Sequence, residues 1–418
     1  MEYFAIEGGQ SLKGSVRISG AKNAVFPIVS AALLIKDKIH IRNIPEILDV
    51  SNFFDILREL GAKIEKVSDG YTFDFSGKIS DKVPFDENKS LRGTQTLLGA
   101  LVARNKKASL PSLGGCNIGS RPIELHLKGM EAFGVKFGWE KGYLNASVRG
   151  NLRGEKIYLD FPSVGATENL IIASCLASGD TVIENAAKEP EIKDLVNFLN
   201  SAGAKIEMNG SGVIKIHGVK ELQKTSYTII PDRIEASTYL ILGAITQGEV
   251  TLTNVNSHDF EPVIMKLKEM GAVIEDSGSS VSIKNSGILK SVNVKTLPFP
   301  GFPTDAQPQI MSLLSIAKGT SIISETIFEN RFRAAEELIK MGANIKLEGN
   351  TAIVTGVQSL RPAEVIAPDL RGGVSLVLAA LSAKGKSKVF EPFHIDRGYE
   401  KIVEKIVELG GKIERKST

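Results

Sequence analysis

The sequence predicts an α/β fold made of six repeats of about 70 residues, grouped as two domains of three repeats. A short glycine-containing phrase recurs six times, and each repeat also contains a segment that is apolar on nearly all sides. With 42% hydrophobic residues in 418 positions, the chain has enough apolar side chains for sizeable cores.

The recurring phrase follows an amphipathic pattern. Apolar residues at three- and four-residue steps, as in 195–199 and 402–409, predict a surface helix before each phrase. The glycine fits a left-handed C-cap, and a β-branched strand pattern comes next. The six glycines are Gly61, Gly134, Gly203, Gly271, Gly342 and Gly410.

The other helix of each repeat is apolar nearly all round, which is typical of a helix buried on every side. Each repeat is therefore predicted to run strand, buried helix, strand, surface helix, strand, strand. The predicted buried helices are 24–34, 94–102, 169–177, 236–245, 309–316 and 374–381.

The segments 19–22 and 229–232 are the predicted crossings between domains. One domain would contain residues 22–229, with the loop around Cys116, and the other 1–21 together with 230–418. The segment 4–18 is predicted as a single strand that completes the last repeat.

The net charge is only +3 and the charges are interspersed, so no global field indicates nucleic acid or a membrane surface. The two cysteines cannot form a disulfide framework, which favours a reducing compartment. We see no signal-peptide pattern and no apolar run of spanning length, so we expect a cytoplasmic protein.

Cationic and other polar residues stand at the predicted helix starts. There a cation opposes the helix dipole unless an anionic ligand is also bound. Each Arg could instead pair with an acid such as Glu235, Glu329 or Asp396, the simpler reading for any single Arg. For the whole set we favour an interdomain cleft for a ligand with several phosphates or carboxylates. The set is Lys22, Asn23, Arg92, Asp232, Arg233, Thr304, Asp305, Asp369 and Arg371 before buried helices, and Arg121, Arg331 and Arg397 before surface helices.

Three glycines in the 111–122 loop indicate a mobile lid. Within it, Cys116 lies near Arg121 and could serve as a nucleophile or proton donor, or be an incidental small residue. Cys175 stands in an apolar run and is predicted to pack in the core.

Eight motifs together resemble the UDP-N-acetylglucosamine 1-carboxyvinyltransferases of the enolpyruvyl transferase family, over essentially the whole chain. They include Ser-Gly-Ala-Lys-Asn-Ala at 19–24, Gly-Gly-Cys-Asn-Ile-Gly-Ser-Arg-Pro at 114–122 and His-Ile-Asp-Arg-Gly-Tyr-Glu at 394–400. The others are at 163–169, 231–235, 300–305, 328–332 and 369–371.

The resemblance implies a two-domain inside-out α/β barrel. It also implies transfer of the enolpyruvyl group of phosphoenolpyruvate to the 3-hydroxyl of UDP-N-acetylglucosamine, by addition and then elimination of phosphate. This reaction begins peptidoglycan precursor synthesis. No metal or other cofactor is expected, since the five histidines are scattered.

The resemblance also assigns roles to individual residues. Cys116 would protonate the methylene carbon and could hold phosphoenolpyruvate covalently, Asp305 would take part in removing the hydroxyl proton, and Lys22 and Arg397 would assist. The phosphoenolpyruvate site would contain Lys22, Asn23, Arg121, Arg331, Arg371 and Arg397. The nucleotide-sugar site would contain Asn23, Arg92, Arg121, Pro122, Ile123, Glu124, Leu125, His126, Ser163, Val164, Gly165, Asp305 and Ile327.

Simpler roles compete for two of these residues, because Asp305 could be a plain helix N-cap and His126 a structural histidine. The competing functions are transfer to shikimate 3-phosphate and an inert repeat scaffold that binds proteins. The shikimate 3-phosphate enzymes have Lys-Ser where this chain has Lys22 and Asn23, and they lack the 114–121 loop. A scaffold would have no reason to place charged groups at matching ends of the repeats.

Overall fold

A computed structural model describes residues 1–85, 92–111, 123–285 and 287–417, with only the backbone of Arg92. Within these ranges no helix is both long and apolar enough to cross a membrane.

The helices alternate between the two predicted kinds, with one additional short helix near the end of the chain. In chain order they are α1 (Lys22–Ala32), α2 (Leu48–Glu59), α3 (Leu97–Asn105), α4 (Glu124–Ala132), α5 (Val164–Ser174), α6 (Pro190–Ser201), α7 (Arg233–Ile245), α8 (Glu261–Glu269), α9 (Gln307–Leu314), α10 (Ala334–Lys340), α11 (Leu370–Ser382), α12 (Phe393–Asp396) and α13 (Ile402–Glu408). Short 3₁₀ segments cover Arg92–Thr96, Ser257–Phe260, Thr304–Ala306 and Arg331–Arg333.

The strands are short. They are β1 (Glu2–Gly8), β2 (Lys13–Arg17), β3 (Lys38–Arg42), β4 (Lys63–Val67), β5 (Gly70–Asp74), β6 (Lys107–Pro111), β7 (Lys136–Glu140), β8 (Tyr143–Ser147), β9 (Lys156–Tyr158), β10 (Asp180–Glu184), β11 (Lys205–Met208), β12 (Ile214–His217), β13 (Ser226–Thr228), β14 (Glu249–Thr253), β15 (Val273–Asp276), β16 (Ser280–Lys284), β17 (Val294–Lys295), β18 (Thr320–Ser324), β19 (Asn344–Glu348), β20 (Thr351–Thr355), β21 (Glu364–Ile366), β22 (Gly385–Phe390) and β23 (Lys412–Ser417).

One sheet topology recurs in the described part of the chain, which contains six sheets. In five of them an edge strand runs parallel to its neighbour and the other pairs are antiparallel, as in β9-β10-β12-β11. In the sheet β6-β8-β7 the parallel partner is reduced to a bridge between Lys82 and Ser109. In four repeats the buried helix is the crossover that a parallel pair requires. In the other two, β13 supplies the parallel partner of β3, and β2 that of β14.

The buried helices form the cores, as the apolar pattern predicts. In α5 every residue from Ala166 to Ser174 is buried, and α3 packs closely against it. A Cβ added to Gly99 of α3 would lie 2.4 Å from the carbonyl oxygen of Asn169, so only glycine allows this approach. Two separate apolar clusters result, one around α1, α3 and α5 and the other around α7, α9 and α11.

The predicted C-caps are confirmed at all six glycines, each within the described residues. Their φ angles lie between 85° and 109°, the left-handed region that glycine enters without strain. At Gly203 the next amide, that of Ala204, donates to the carbonyl of Leu199 at 3.0 Å. This i to i−5 bond closes the last helical turn, and its equivalent follows each of the other five glycines.

The predicted single strand over 4–18 is wrong, because the segment forms two strands in different sheets. β1 lies between β22 and β23 in the last sheet, as expected for a strand that completes the last repeat. β2 instead pairs in parallel with β14. The chain turns between them at Gly8 and Gly9: Gly9 has φ 97°, and a Cβ on Gly8 would lie 2.0 Å from the carbonyl oxygen of Ala380.

Contacts within the chain define two compact units. The first unit contains Met1–Ser19 and Pro231–Thr418, and the second contains the described residues from Gly20 to Ile230.

Candidate active site

Asp305 lies between two buried guanidinium groups in the first unit. Nη2 of Arg331 is 2.7 Å from one carboxylate oxygen of Asp305, and Nη2 of Arg371 is 3.2 Å from the other. Arg331 and Arg371 are only 2% and 3% exposed, whereas the Asp305 side chain is 26% exposed. The carboxylate therefore faces the surface while its counter-charges are buried behind it.

The N-cap role considered for Asp305 is wrong. The caps of the 3₁₀ segment and of α9 are Pro303 and Ala306, and Asp305 uses its carboxylate for the two arginines. Pro303 also fixes an extended backbone before the turn. Pro308 occupies the first turn of α9, where a missing N–H costs nothing.

Two of the acids considered as partners for the arginines of the set pair with other residues. Glu235 pairs with Lys405 at 2.7 Å, and Asp396 pairs with Arg415 at 2.5 Å. Both Arg331 and Arg371 converge instead on Asp305, which lies distant from each in sequence.

Charge around Arg371 keeps its guanidinium protonated. Burial alone would lower its pKa, but Tyr399, Asp305 and Asp232 together raise the pKa above its usual value. Asp232 is also the N-cap of α7, accepting from the amides of Ile234 and Glu235.

Two other predicted residues of the first unit lie at element ends. Arg397 is partly buried at the end of α12. Burial lowers the pKa of His394, the carboxylate of Glu391 raises it and the charge of Arg397 lowers it. Ile327 is partly exposed, and its amide donates to Glu325 at 2.9 Å.

In the second unit, Lys22 and Asn23 begin α1. Lys22 is 8% exposed, and its Nζ lies 2.5 Å from a carboxylate oxygen of Asp49. Asn23 is partly exposed. Because Asp49 lies in the first turn of α2, the pair joins the starts of a buried and a surface helix.

His126 is held over the start of α5. Its Nδ1 is 2.9 Å from Nδ2 of Asn169, whose Oδ1 accepts from the amide of Gly99. That acceptor bond fixes the orientation of the amide, so Nδ1 of His126 accepts and a neutral ring carries its proton on Nε2. A Cβ on Gly165 would lie 3.2 Å from Nε2, so glycine leaves room for the ring. Asn169 is therefore the hydrogen-bond partner that a structural role for His126 requires.

The start of α5 presents polar groups beside His126. Ser163 is the N-cap, with its side chain accepting from the amide of Ala166, and Ser163, Val164 and Gly165 are all partly exposed. A helix start of this kind favours an anionic group. Ile123, Glu124 and Leu125 lie at the start of α4, where none is fully buried.

Cys116, Arg121, Pro122 and the side chain of Arg92 lie outside the described residues. Cys175 is confirmed as a core residue: it is fully buried, and burial raises the pKa of its thiol to about 12. In the described part of the chain no group of three or more His, Cys, Asp or Glu side chains could hold a metal ion.

Sequence reasoning missed the polar residues inside the buried helices. Asn169, Thr238 and Gln309 are all fully or nearly fully buried. Gln309 donates to the carbonyl of Asp305 at 2.9 Å, and Tyr399 lies 2.9 Å from Thr238. Polar side chains within mostly apolar helices were the available signal.

The model of the family of EPSP synthase (3-phosphoshikimate 1-carboxyvinyltransferase) matches residues 6–406. The chain belongs to this family of carboxyvinyl, or enolpyruvyl, transferases, and the predicted α/β fold class is confirmed. Curated relatives carry a narrower name. UDP-N-acetylglucosamine 1-carboxyvinyltransferase 2 of Carboxydothermus hydrogenoformans is 49% identical over 420 residues, covering 100% of both chains. UDP-N-acetylglucosamine 1-carboxyvinyltransferase 1 of Symbiobacterium thermophilum is also 49% identical, over 99% of this chain and 95% of its own.

Two solved structures share the fold. The enolpyruvyl transferase NikO of Streptomyces tendae has a TM-score of 0.90 and 27% identity, over 99% of this chain and 98% of its own. EPSP synthase of Acinetobacter baumannii has a TM-score of 0.78 and 20% identity, over 100% of both chains.

Proposed function

We propose that this chain transfers the enolpyruvyl group of phosphoenolpyruvate to the 3-hydroxyl of UDP-N-acetylglucosamine and releases phosphate. This is the first committed step of peptidoglycan precursor synthesis, and we place it in the cytoplasm. The proposal depends most on Asp305, a partly exposed carboxylate backed by the buried Arg331 and Arg371. Relatives that are 49% identical over the full length carry the name of this reaction.

The reaction needs a proton on carbon and a base for an alcohol. In the addition, the methylene carbon takes a proton and the sugar oxygen bonds to the adjacent carbon. In the elimination, the methyl group loses a proton, the double bond forms again and phosphate leaves. We assign the proton donor to Cys116 and the removal of the hydroxyl proton to Asp305. Arg331 and Arg371 hold that carboxylate in position.

Phosphoenolpyruvate carries a phosphate and a carboxylate, so its site needs clustered positive charge. We assign this role to Lys22, Arg121, Arg331, Arg371 and Arg397, with Asn23 beside the reacting group. Among these, Arg331 and Arg371 have the strongest support from the structure, because their burial strengthens their field at a bound anion.

The nucleotide sugar carries a diphosphate, which suits a helix start with free amides. We assign Ser163, Val164 and Gly165 at the start of α5, with His126 above them, to this substrate. Its remaining contacts are proposed for Asn23, Arg92, Arg121, Pro122, Ile123, Glu124, Leu125, Asp305 and Ile327.

A phosphate-release assay tests the proposal. We expect release to require both phosphoenolpyruvate and UDP-N-acetylglucosamine, and to proceed without added metal. Release with shikimate 3-phosphate in place of the nucleotide sugar would overturn the substrate assignment. No release with either acceptor would favour the scaffold.

A cysteine pair tests the proton donor. Cys116→Ser should lose turnover, because a serine hydroxyl is a far weaker acid than a thiol. Cys175→Ala is the matched control and should keep turnover, since Cys175 is buried in the core. Full turnover by Cys116→Ser would remove Cys116 from the mechanism.

A further inference from the structure

Tyr399 has a buried hydroxyl that contacts two other buried side chains. Tyr399 is 3% exposed, Thr238 is 2% exposed and Gln309 is fully buried. The phenol oxygen lies 2.9 Å from Oγ1 of Thr238 and 3.3 Å from Nε2 of Gln309. The three residues come from α7, α9 and the segment after α12, so the hydroxyl links separate elements of the first unit.

The proton on each hydroxyl can be placed by elimination. Thr238 donates its proton to the carbonyl of Ile234 at 2.8 Å, so it must accept from Tyr399. Tyr399 therefore donates to Thr238, and its lone pairs face its other neighbours. Nε2 of Gln309 donates to the carbonyl of Asp305 at 2.9 Å and also lies 3.1 Å from Oγ1 of Thr238 and 3.3 Å from the Tyr399 oxygen.

Arg371 completes this arrangement. Its guanidinium carbon is 5.5 Å from the centre of the Tyr399 ring, within the range of a cation–π contact. Nη2 reaches Asp305 at 3.2 Å, whereas Nη1 is buried without a hydrogen-bond partner among the described residues. One face of Arg371 is thus held by Tyr399 and one nitrogen by Asp305.

We propose that Tyr399 is a positioning residue for enolpyruvyl transfer. Its hydroxyl, fixed by Thr238, holds Gln309 against the backbone of Asp305 while its ring orients Arg371. Gln309, which donates to the backbone of Asp305, and Arg371, which pairs with its carboxylate, therefore both contact one phenol. This inference rests on the proposed function. It adds a residue that acts through its neighbours and does not contact the reacting atoms of the substrates.

The substitution Tyr399→Phe tests it by removing the oxygen while keeping the ring over Arg371. We expect kcat/KM for phosphoenolpyruvate to fall about tenfold, because small displacements of aligned groups are costly to the reaction. The KM for UDP-N-acetylglucosamine should change less, because Asp305, through which Tyr399 would act, is one of many residues assigned to that substrate. If the hydroxyl is purely structural, Tyr399→Phe should lower the melting temperature and change the kinetics with both substrates alike. That result would overturn the proposal.

Substitutions of Thr238 test the direction of the hydrogen bonds. Thr238→Val removes the acceptor and should reproduce the loss seen in Tyr399→Phe, whereas Thr238→Ser keeps the acceptor and should behave as wild type. The double variant should lose less than the sum of the two single losses, since both substitutions remove the hydrogen bond between Tyr399 and Thr238. Additive losses would overturn the proposal.

Tyr239→Phe is the matched control. Tyr239 is also a buried tyrosine of the first unit, and its hydroxyl has no hydrogen-bond partner within the described residues. It should therefore keep wild-type kinetics, and a loss equal to that of Tyr399→Phe would overturn the proposal.

Calorimetric titration with phosphoenolpyruvate separates this inference from the proposed function. If the wild type binds phosphoenolpyruvate but releases no phosphate, the proposed function fails. In that case, about tenfold weaker binding by Tyr399→Phe still supports the positioning role, and equal binding overturns it. A wild type that binds no phosphoenolpyruvate overturns both.

Discussion

Asp305→Asn should separate substrate binding from turnover. The amide has nearly the shape of the carboxylate but removes the negative charge between Arg331 and Arg371, which are 2% and 3% exposed. Removing one partner of a buried ion pair costs about 3–5 kcal/mol. The Asp305 side chain is 26% exposed, so water offsets part of this, and we expect a loss of about 2–3 kcal/mol.

Thermal unfolding with and without saturating inorganic phosphate measures the effect. Phosphate should raise the melting temperature of Asp305→Asn more than that of wild type, because an anion replaces the lost charge between the two arginines. In steady-state kinetics we expect kcat to fall at least about 100-fold, the usual contribution of a proton acceptor. The KM for phosphoenolpyruvate should not rise.

Asp180→Asn is the control, because the Asp180 side chain is 69% exposed and pairs with His217 at the surface. It should match wild type in both assays. If Asp305→Asn is as stable as wild type, the reasoning about the buried arginines is refuted. It is also refuted if phosphate raises the melting temperatures of Asp305→Asn and wild type equally.

Three further predictions concern stability, measured by thermal unfolding. Burial and neighbouring acids raise the pKa of Glu168 in the folded chain. The folded chain therefore keeps a proton that the unfolded chain releases above about pH 4.5. Stability therefore falls as pH rises, and Glu168→Gln should raise the melting temperature at about pH 8 but not at about pH 4. Gly203→Ala should lower the free energy of unfolding by about 1 kcal/mol through backbone strain alone. Gly61→Ala should lower the free energy of unfolding further, since its Cβ would lie 2.6 Å from a carbonyl oxygen. Equal losses of stability in the two variants would contradict this. Lys405→Met should cost about 3 kcal/mol by isolating the buried Glu235, and adding Glu235→Gln should recover most of it.

The repeat could be predicted because its signals are local. A glycine after an amphipathic helix needs only its own neighbours to adopt a left-handed cap, and Gly203 and its five equivalents do so. A helix that is mostly apolar on all sides, such as α5, is normally buried, so composition indicates where the core lies.

The contacts of the site depend on chain segments far apart in sequence. Nothing near Asp305 shows that Arg371 reaches it, since 66 residues separate them. The turn at Gly8 and Gly9 was missed for a similar reason: the strand pattern continues through it, and the neighbour that forces the turn is Ala380. Sequence motifs can identify reactive groups, but the pairing among them is set by the packing of distant helices.

The position of β1 has a consequence for folding during synthesis. β1 is made before both of its partners, β22 and β23, which follow the whole of the second unit in the chain. Every residue of the second unit leaves the ribosome before β22 exists, so the second unit can fold while β1 is still unpaired. The first unit can close this sheet only after β22 and β23 have also been made. The partly apolar β1 segment therefore stays without its native partners throughout the synthesis of the second unit, an interval in which it is open to binding by chaperones.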